Sequence, residues 1–170
     1  MGQTRKRLEK LTNRLHRIRQ ELLRIPEKKE QFEAVFAELR AGWPQALAKR
    51  AIGEITEAEL EEARHELVVA NRNRLEIAEL EKGLGKMEQE VLAQMKPLQR
   101  KIRQEQAKER YHVLRSKLEA GNYDKHEEGT LRQLGHQLGY DREVSELLRG
   151  LERRRRRELS FAQVHGLQAQ

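Results

Sequence analysis

Cysteine is absent from the 170 residues, which excludes disulfides, thiol nucleophiles and every cysteine-ligated zinc site, and fits a reducing compartment. Aromatic residues make up 4% and hydrophobic residues 36%, too little apolar volume for an ordinary globular core of this length. No apolar run approaches the roughly 18 residues of a membrane-spanning helix. The opening MGQTRKRLEK has no apolar stretch of the kind a signal peptide needs. A phosphate loop of the GxxxxGKT kind is missing, and no strand precedes a GxGxxG, so nucleotide chemistry on this chain is not expected. No nucleophile stands beside any of the six histidines. These absences predict a soluble, cytoplasmic protein, nucleoid-associated in one reading, that is not an enzyme and binds no cofactor.

What the chain has in plenty is charge. Charged residues reach 37%, and 35 Lys and Arg against 28 Asp and Glu leave a formal charge of +7. Such a polar chain is either disordered or folded through a narrow apolar seam between helices. Periodicity decides for helix. Leu8, Leu11, Leu15, Ile18, Leu22, Ile25, Phe32, Phe36 and Leu39 fall on one 3-4 alternation, with Lys29 the single polar residue on it. Pro26 lies inside the run and should kink the helix.

Ala41-Gly42-Trp43-Pro44 reads as the first break, with a short helix from Gln45 to Ala51 and then Gly53. Thr56 and Glu59 have the spacing of a capping box opening a second helix. Its pattern runs through Leu60, Ala63, Leu67, Ala70 and Ile77, changes phase near Leu80, and continues through Leu84, Met87, Val91 and Leu98. Unbroken to Ala120, this helix would be about 95 Å long; Gly83, Gly85 and Pro97 are the candidate interruptions. Gly121-Asn122-Tyr123-Asp124 forms the next break. A short helix then carries Leu131, Leu134 and Leu138, and a last one, capped by Asp141, runs to about Leu159. The predicted fold is all-α: an elongated antiparallel coiled-coil hairpin with additional short C-terminal helices. Its parts are a first helix over 1–41 kinked at Pro26, a break or hairpin tip over 42–56, a long second helix over 57–120, and short helices with a frayed tail over 121–170.

Charge is blocked along the chain. Residues 5–24 hold eight Lys or Arg and two Glu, whereas residues 54–90 hold eleven Glu and five basic residues. Folding back at 42–56 would lay the first block against the second, which favours antiparallel pairing. Later basic residues are less fully matched. Lys96, Arg100, Lys101 and Arg103 open a second basic stretch, and Arg153, Arg154, Arg155, Arg156 and Arg157 form an unbroken run. At 100° per residue these five point all round a helix and cannot all pair with one acidic strip. Both stretches are candidate phosphate-binding residues. Two Glu-x-x-His pairs, Glu62 with His65 and Glu109 with His112, have the spacing of di-iron bundle ligands. Both lie off their helix's apolar face, so no metal site is expected. Trp43 continues the first seam as a cap on the hairpin tip, and is also a candidate partner contact.

One segment is more distinctive than a generic coil. The stretch Leu118-Glu119-Ala120-Gly121-Asn122-Tyr123-Asp124, the Leu-rich helix Leu131–Leu138 and the turn Leu138-Gly139-Tyr140-Asp141 resemble the coiled-coil arm of SbcC-type proteins. Those are the SMC-like ATPase subunits of bacterial DNA-break nucleases. The resemblance covers the last third of the chain. Such proteins carry ATPase motifs at both chain ends and a Cys-x-x-Cys zinc hook, and this sequence has neither. It implies a structural arm segment, or a small relative without the ATPase head, serving as a spacer in a DNA double-strand-break repair complex. The partners expected on that basis are duplex DNA held weakly and salt-sensitively, a nuclease subunit or other protein reached through the coil, or a second copy of the chain; no membrane is expected. A free-standing helical adaptor or scaffold, of phage or secretion machinery, is the other reading.

Overall fold

A computed structural model of the chain describes residues 1–166. Four helices follow one another: α1 (Gly2–Ala51), α2 (Glu57–Glu119), α3 (Lys125–Leu138) and α4 (Asp141–His165), with no strand among the described residues. Among the described residues no helix is long and apolar enough to cross a membrane. The frayed end expected over 166–170 lies, from residue 167 on, outside the described residues. Two compact units divide the chain, Met1–Leu98 and Gln99–Gln170, so α2 contributes to both. Pro97, which cannot donate a backbone hydrogen bond, stands just before that division.

The first unit is an antiparallel hairpin of α1 on α2. Leu11, Leu15 and Ile18 of α1 are buried with Val91 and Met95 of α2, and Leu8, Leu22, Leu84, Met87, Leu92 and Leu98 pack around them. Four ion pairs join the helices. Arg19–Glu88 (3.2 Å), Glu33–Arg74 (3.7 Å) and Arg50–Glu57 (2.9 Å) share one register: the 14 residues from Arg19 to Glu33 match the 14 from Glu88 back to Arg74. Lys29–Glu81 (2.9 Å) is displaced from it by about one turn. A buried Leu or Ile stabilises by roughly 1.5–3 kcal/mol, an exposed ion pair by about 0–1 kcal/mol. The seam therefore holds the hairpin together, and the ions select its register.

Three expectations for this unit are corrected. First, α1 does not break at Gly42 but runs through Pro26 and Pro44 to Ala51, so the tip is confined to Ile52–Thr56. Pro44 and Arg40 are both exposed, so water can reach the Arg40 carbonyl that Pro44 leaves without its donor. Half-buried Trp43, with the Arg64 guanidinium 5.7 Å from its ring centre, carries the apolar seam up to the proline, and half-buried Ala46 continues it beyond. Gly53, at φ 80°, ends the helix: its N–H donates to the Arg50 carbonyl and that of Glu54 to Lys49. A residue with a Cβ would be strained there. Thr56 then opens α2, its Oγ1 accepting from the Glu59 N–H at 3.2 Å.

Second, α2 does not change phase near Leu80. Arg74, Glu81 and Glu88 continue the alternation of Leu60, Ala63, Leu67, Ala70 and Ile77, and each reaches α1 through an ion pair. Arg74 also lies 4.4 Å over the ring of Phe36. Third, confining the tip to the last part of the expected 42–56 span moves the first basic block. Residues 8–22 pack against 84–98, beyond most of the acidic stretch. Of the block's eight cations, Arg19 pairs with α2 and Arg24 with Glu21 on its own helix; the other six have no carboxylate partner among the described residues.

In the second unit three helices surround one core. Tyr111 and Leu118 of α2, Leu131 and Leu134 of α3, and Val144 and Leu151 of α4 are buried together. Asp124 caps α3, its Oδ1 accepting from the Glu127 N–H at 2.7 Å. At the other end Gly139 (φ 76°) donates to His136, and Tyr140 to Gly135 at 2.7 Å. That turn corrects the expected cap of α4. Tyr140 occupies the cap position, its carbonyl accepting from Val144, and Asp141 becomes the first helical residue. There its carboxylate meets His136 Nδ1 at 3.1 Å and complements the helix dipole.

Candidate nucleic-acid interface

The end of α4 is the most exposed helix segment of the second unit, and the core explains why. Tyr140 stands beside Tyr111, ring centres 5.0 Å apart. Farther along, Leu147, Gly150, Leu151 and Arg154 border Glu119, the last residue of α2. Thus α4 runs in the same direction as α2 and is level with its end by Arg154. No residue from Glu152 to Gly166 is buried or half-buried. Gly135 sets how close α3 comes to α4: a Cβ there would lie 2.5 Å from Val144 Cγ2. Burial pushes the Tyr111 phenol above its ordinary value, with Arg115 beside it opposing the shift.

The five arginines on this overhang differ in surroundings. Arg156 pairs with Glu152 at 3.0 Å, in the favourable order with the acid one turn before the base. Arg155 lies 5.0 Å over the ring of Tyr123. Arg153, Arg154 and Arg157 are exposed and have no carboxylate partner among the described residues. Arg149, one turn before Arg153, also has none. It lines a groove of about 640 Å³ between α3 and α4 with Tyr123, Arg132, Ser145, Glu152 and Arg155. The sequence reading missed it, although its spacing of four and seven residues from Arg153 and Arg156 marks the same side of the helix.

The other candidates are dispersed. Lys96 is exposed in the first unit; Arg100, Lys101 and Arg103 are exposed in the second, and none has an ion-pair partner among the described residues. Glu62 and His65 are exposed in the first unit, Glu109 and His112 in the second. No turn at Gly83–Gly85 folds α2 back between those pairs, because the helix is continuous there. Among the described residues no three His, Asp or Glu side chains gather as metal ligands. The chemistry within reach of the α4 end is therefore electrostatic capture of an anion by guanidinium groups. Comparison with protein-family models, curated proteins and solved structures finds no match to this chain.

Proposed function

We propose that this chain is a structural coiled-coil segment of an SMC-like DNA double-strand-break repair complex, a spacer whose α4 end holds the duplex backbone weakly. One observation carries the reading. Helix α4 continues past its last buried residue, Leu151, into a fully exposed stretch on which Arg153, Arg154 and Arg157 have no carboxylate partner among the described residues. A guanidinium already paired with a carboxylate gains little from a phosphate, whereas an unpaired one releases counterions on contact. The α1–α2 hairpin suits a spacer, because its interior is spent on pairing its own two helices.

Duplex DNA titrated over a range of salt tests this. Micromolar or weaker affinity at low salt, largely lost near physiological ionic strength, is expected. Replacing Arg153, Arg154 and Arg157 with Gln lowers the log–log salt slope by roughly 2.7 if each touches one phosphate. An unchanged slope makes the run a solvated surface. The adaptor reading draws on Leu159, Phe161 and Val164, each about two-thirds exposed on the same helix end. It predicts instead that Phe161→Ala releases a protein partner and leaves DNA binding intact.

A further inference from the structure

We propose that α1 carries a separate phosphate-binding strip, Arg7, Lys10, Arg14 and Arg17, which receives the phosphodiester backbone of a nucleic acid along one edge of the hairpin. It shares the chemistry of its ligand with the α4 reading but rests on other residues in the other unit.

Each of the four stands immediately before a seam residue: Leu8, Leu11, Leu15 and Ile18. They therefore inherit the seam's 3-4 spacing and occupy one flank of it, so the packing that buries the leucines fixes where the cations stand. All four are exposed, and none has a carboxylate partner among the described residues. The register removes the obvious partners. The facing stretch of α2, residues 84–98, contains only Glu88 and Glu90; Glu88 is held by Arg19, and Glu90 lies within ion-pair distance of none of the four. Glu21, next along the same flank, is held by Arg24 at 3.2 Å. Four like charges without counter-charges make a local potential that an anion relieves.

The strip's length selects the class of anion. Ten residues of helix span about 15 Å, over which one strand of a duplex presents about four phosphates at 3.4 Å of axis each. A further helix from another protein would need an apolar seam to cover, but Lys6, Glu9, Asn13, His16 and Gln20 on the outward side of α1 are polar and exposed. A partner held by charge alone is a polyanion.

The test uses the full chain with Arg7→Gln, Lys10→Gln, Arg14→Gln and Arg17→Gln together, titrated with a duplex of about 30 base pairs at several salt concentrations, beside the α4 variant described above. The four-fold variant is expected to lose about 3–4 units of log–log salt slope, near 0.9 per phosphate, with far-UV circular dichroism unchanged because Gln is nearly as good a helix former as Arg and Lys. Arg7→Lys, Arg14→Lys and Arg17→Lys together should keep the slope. If this charge-retaining set loses as much, the loss reports structure and the proposal falls. Parent-like binding by the four-fold variant, with a weakened α4 variant, removes the strip and leaves α4 standing. The opposite pattern keeps the strip and removes α4. If the four-fold variant loses affinity for polyglutamate but none for DNA, the strip serves an acidic protein and the proposal is overturned.

Discussion

Gly135→Ala isolates the packing that holds α4 in place. Alanine stabilises a helix interior by about 1 kcal/mol relative to glycine, so the change would help if there were room. There is not: the new Cβ would lie 2.5 Å from Val144 Cγ2, 3.6 Å from Val144 Cβ and 3.7 Å from Tyr111 Cε2. Val144 is buried, and a β-branched side chain in a helix has one strongly preferred rotamer, so it cannot simply turn away. Overpacking of this kind costs about 1–3 kcal/mol, which leaves a net loss of about 0–2 kcal/mol. Gly129, on the same helix with nothing within 4 Å of its added Cβ, supplies the control. Gly129→Ala should stabilise by up to about 1 kcal/mol, so the two variants should differ by about 1–3 kcal/mol, with the propensity gain common to both. Urea unfolding followed by tyrosine near-ultraviolet dichroism in a Trp43→Phe background reads the second unit, because Tyr111, Tyr123 and Tyr140 all lie there and the overlapping indole signal of the first unit is removed. Val144→Ala destabilises the parent by opening a cavity but should cost less in the Gly135→Ala background. If Gly135→Ala stabilises as much as Gly129→Ala, the close approach of α3 to α4 is wrong.

Two further changes probe the hairpin and the core. Lys29→Leu completes the α1 seam at a half-exposed position, exchanging an ion pair with Glu81 for partial burial of a leucine; a gain of about 0.5–1 kcal/mol is expected in unfolding followed by Trp43 fluorescence, and a loss would show that the pair outweighs the apolar contact. Burial raises the Tyr111 phenol in the folded state, so its contribution is complete below the ordinary value near 10 and is lost as pH rises through the folded value. As pH rises above about 10 the parent's second unit should therefore lose more stability than Tyr111→Phe, and parallel pH profiles would refute this.

The helical class, the seam of α1, the break at Gly53 and the cap at Thr56 were legible in the residues because each depends on neighbours within a few positions. A 3-4 apolar alternation, a glycine past the last turn and a hydroxyl or carboxylate before the first are local physics. The cap expected at Asp141 failed locally, because the Gly139 turn puts Tyr140 in that position; the other failures depended on the partner helix. Pro44 signals a break locally, yet α1 continues because its seam still has α2 to cover it. Arg74, Glu81 and Glu88 look like interruptions of the α2 pattern, and only Glu33, Lys29 and Arg19 across the interface reveal them as seam positions. The same dependence governs the candidate sites. A tip confined to Ile52–Thr56 rather than spread over 42–56 sets the register, and the register decides which carboxylates the first basic block can reach. It thereby leaves Arg7, Lys10, Arg14 and Arg17 unpaired among the described residues. The sequence could supply the cations at Arg153–Arg157; their exposure follows from α2 ending at Glu119, which leaves the rest of α4 with no helix of its own unit to lie on.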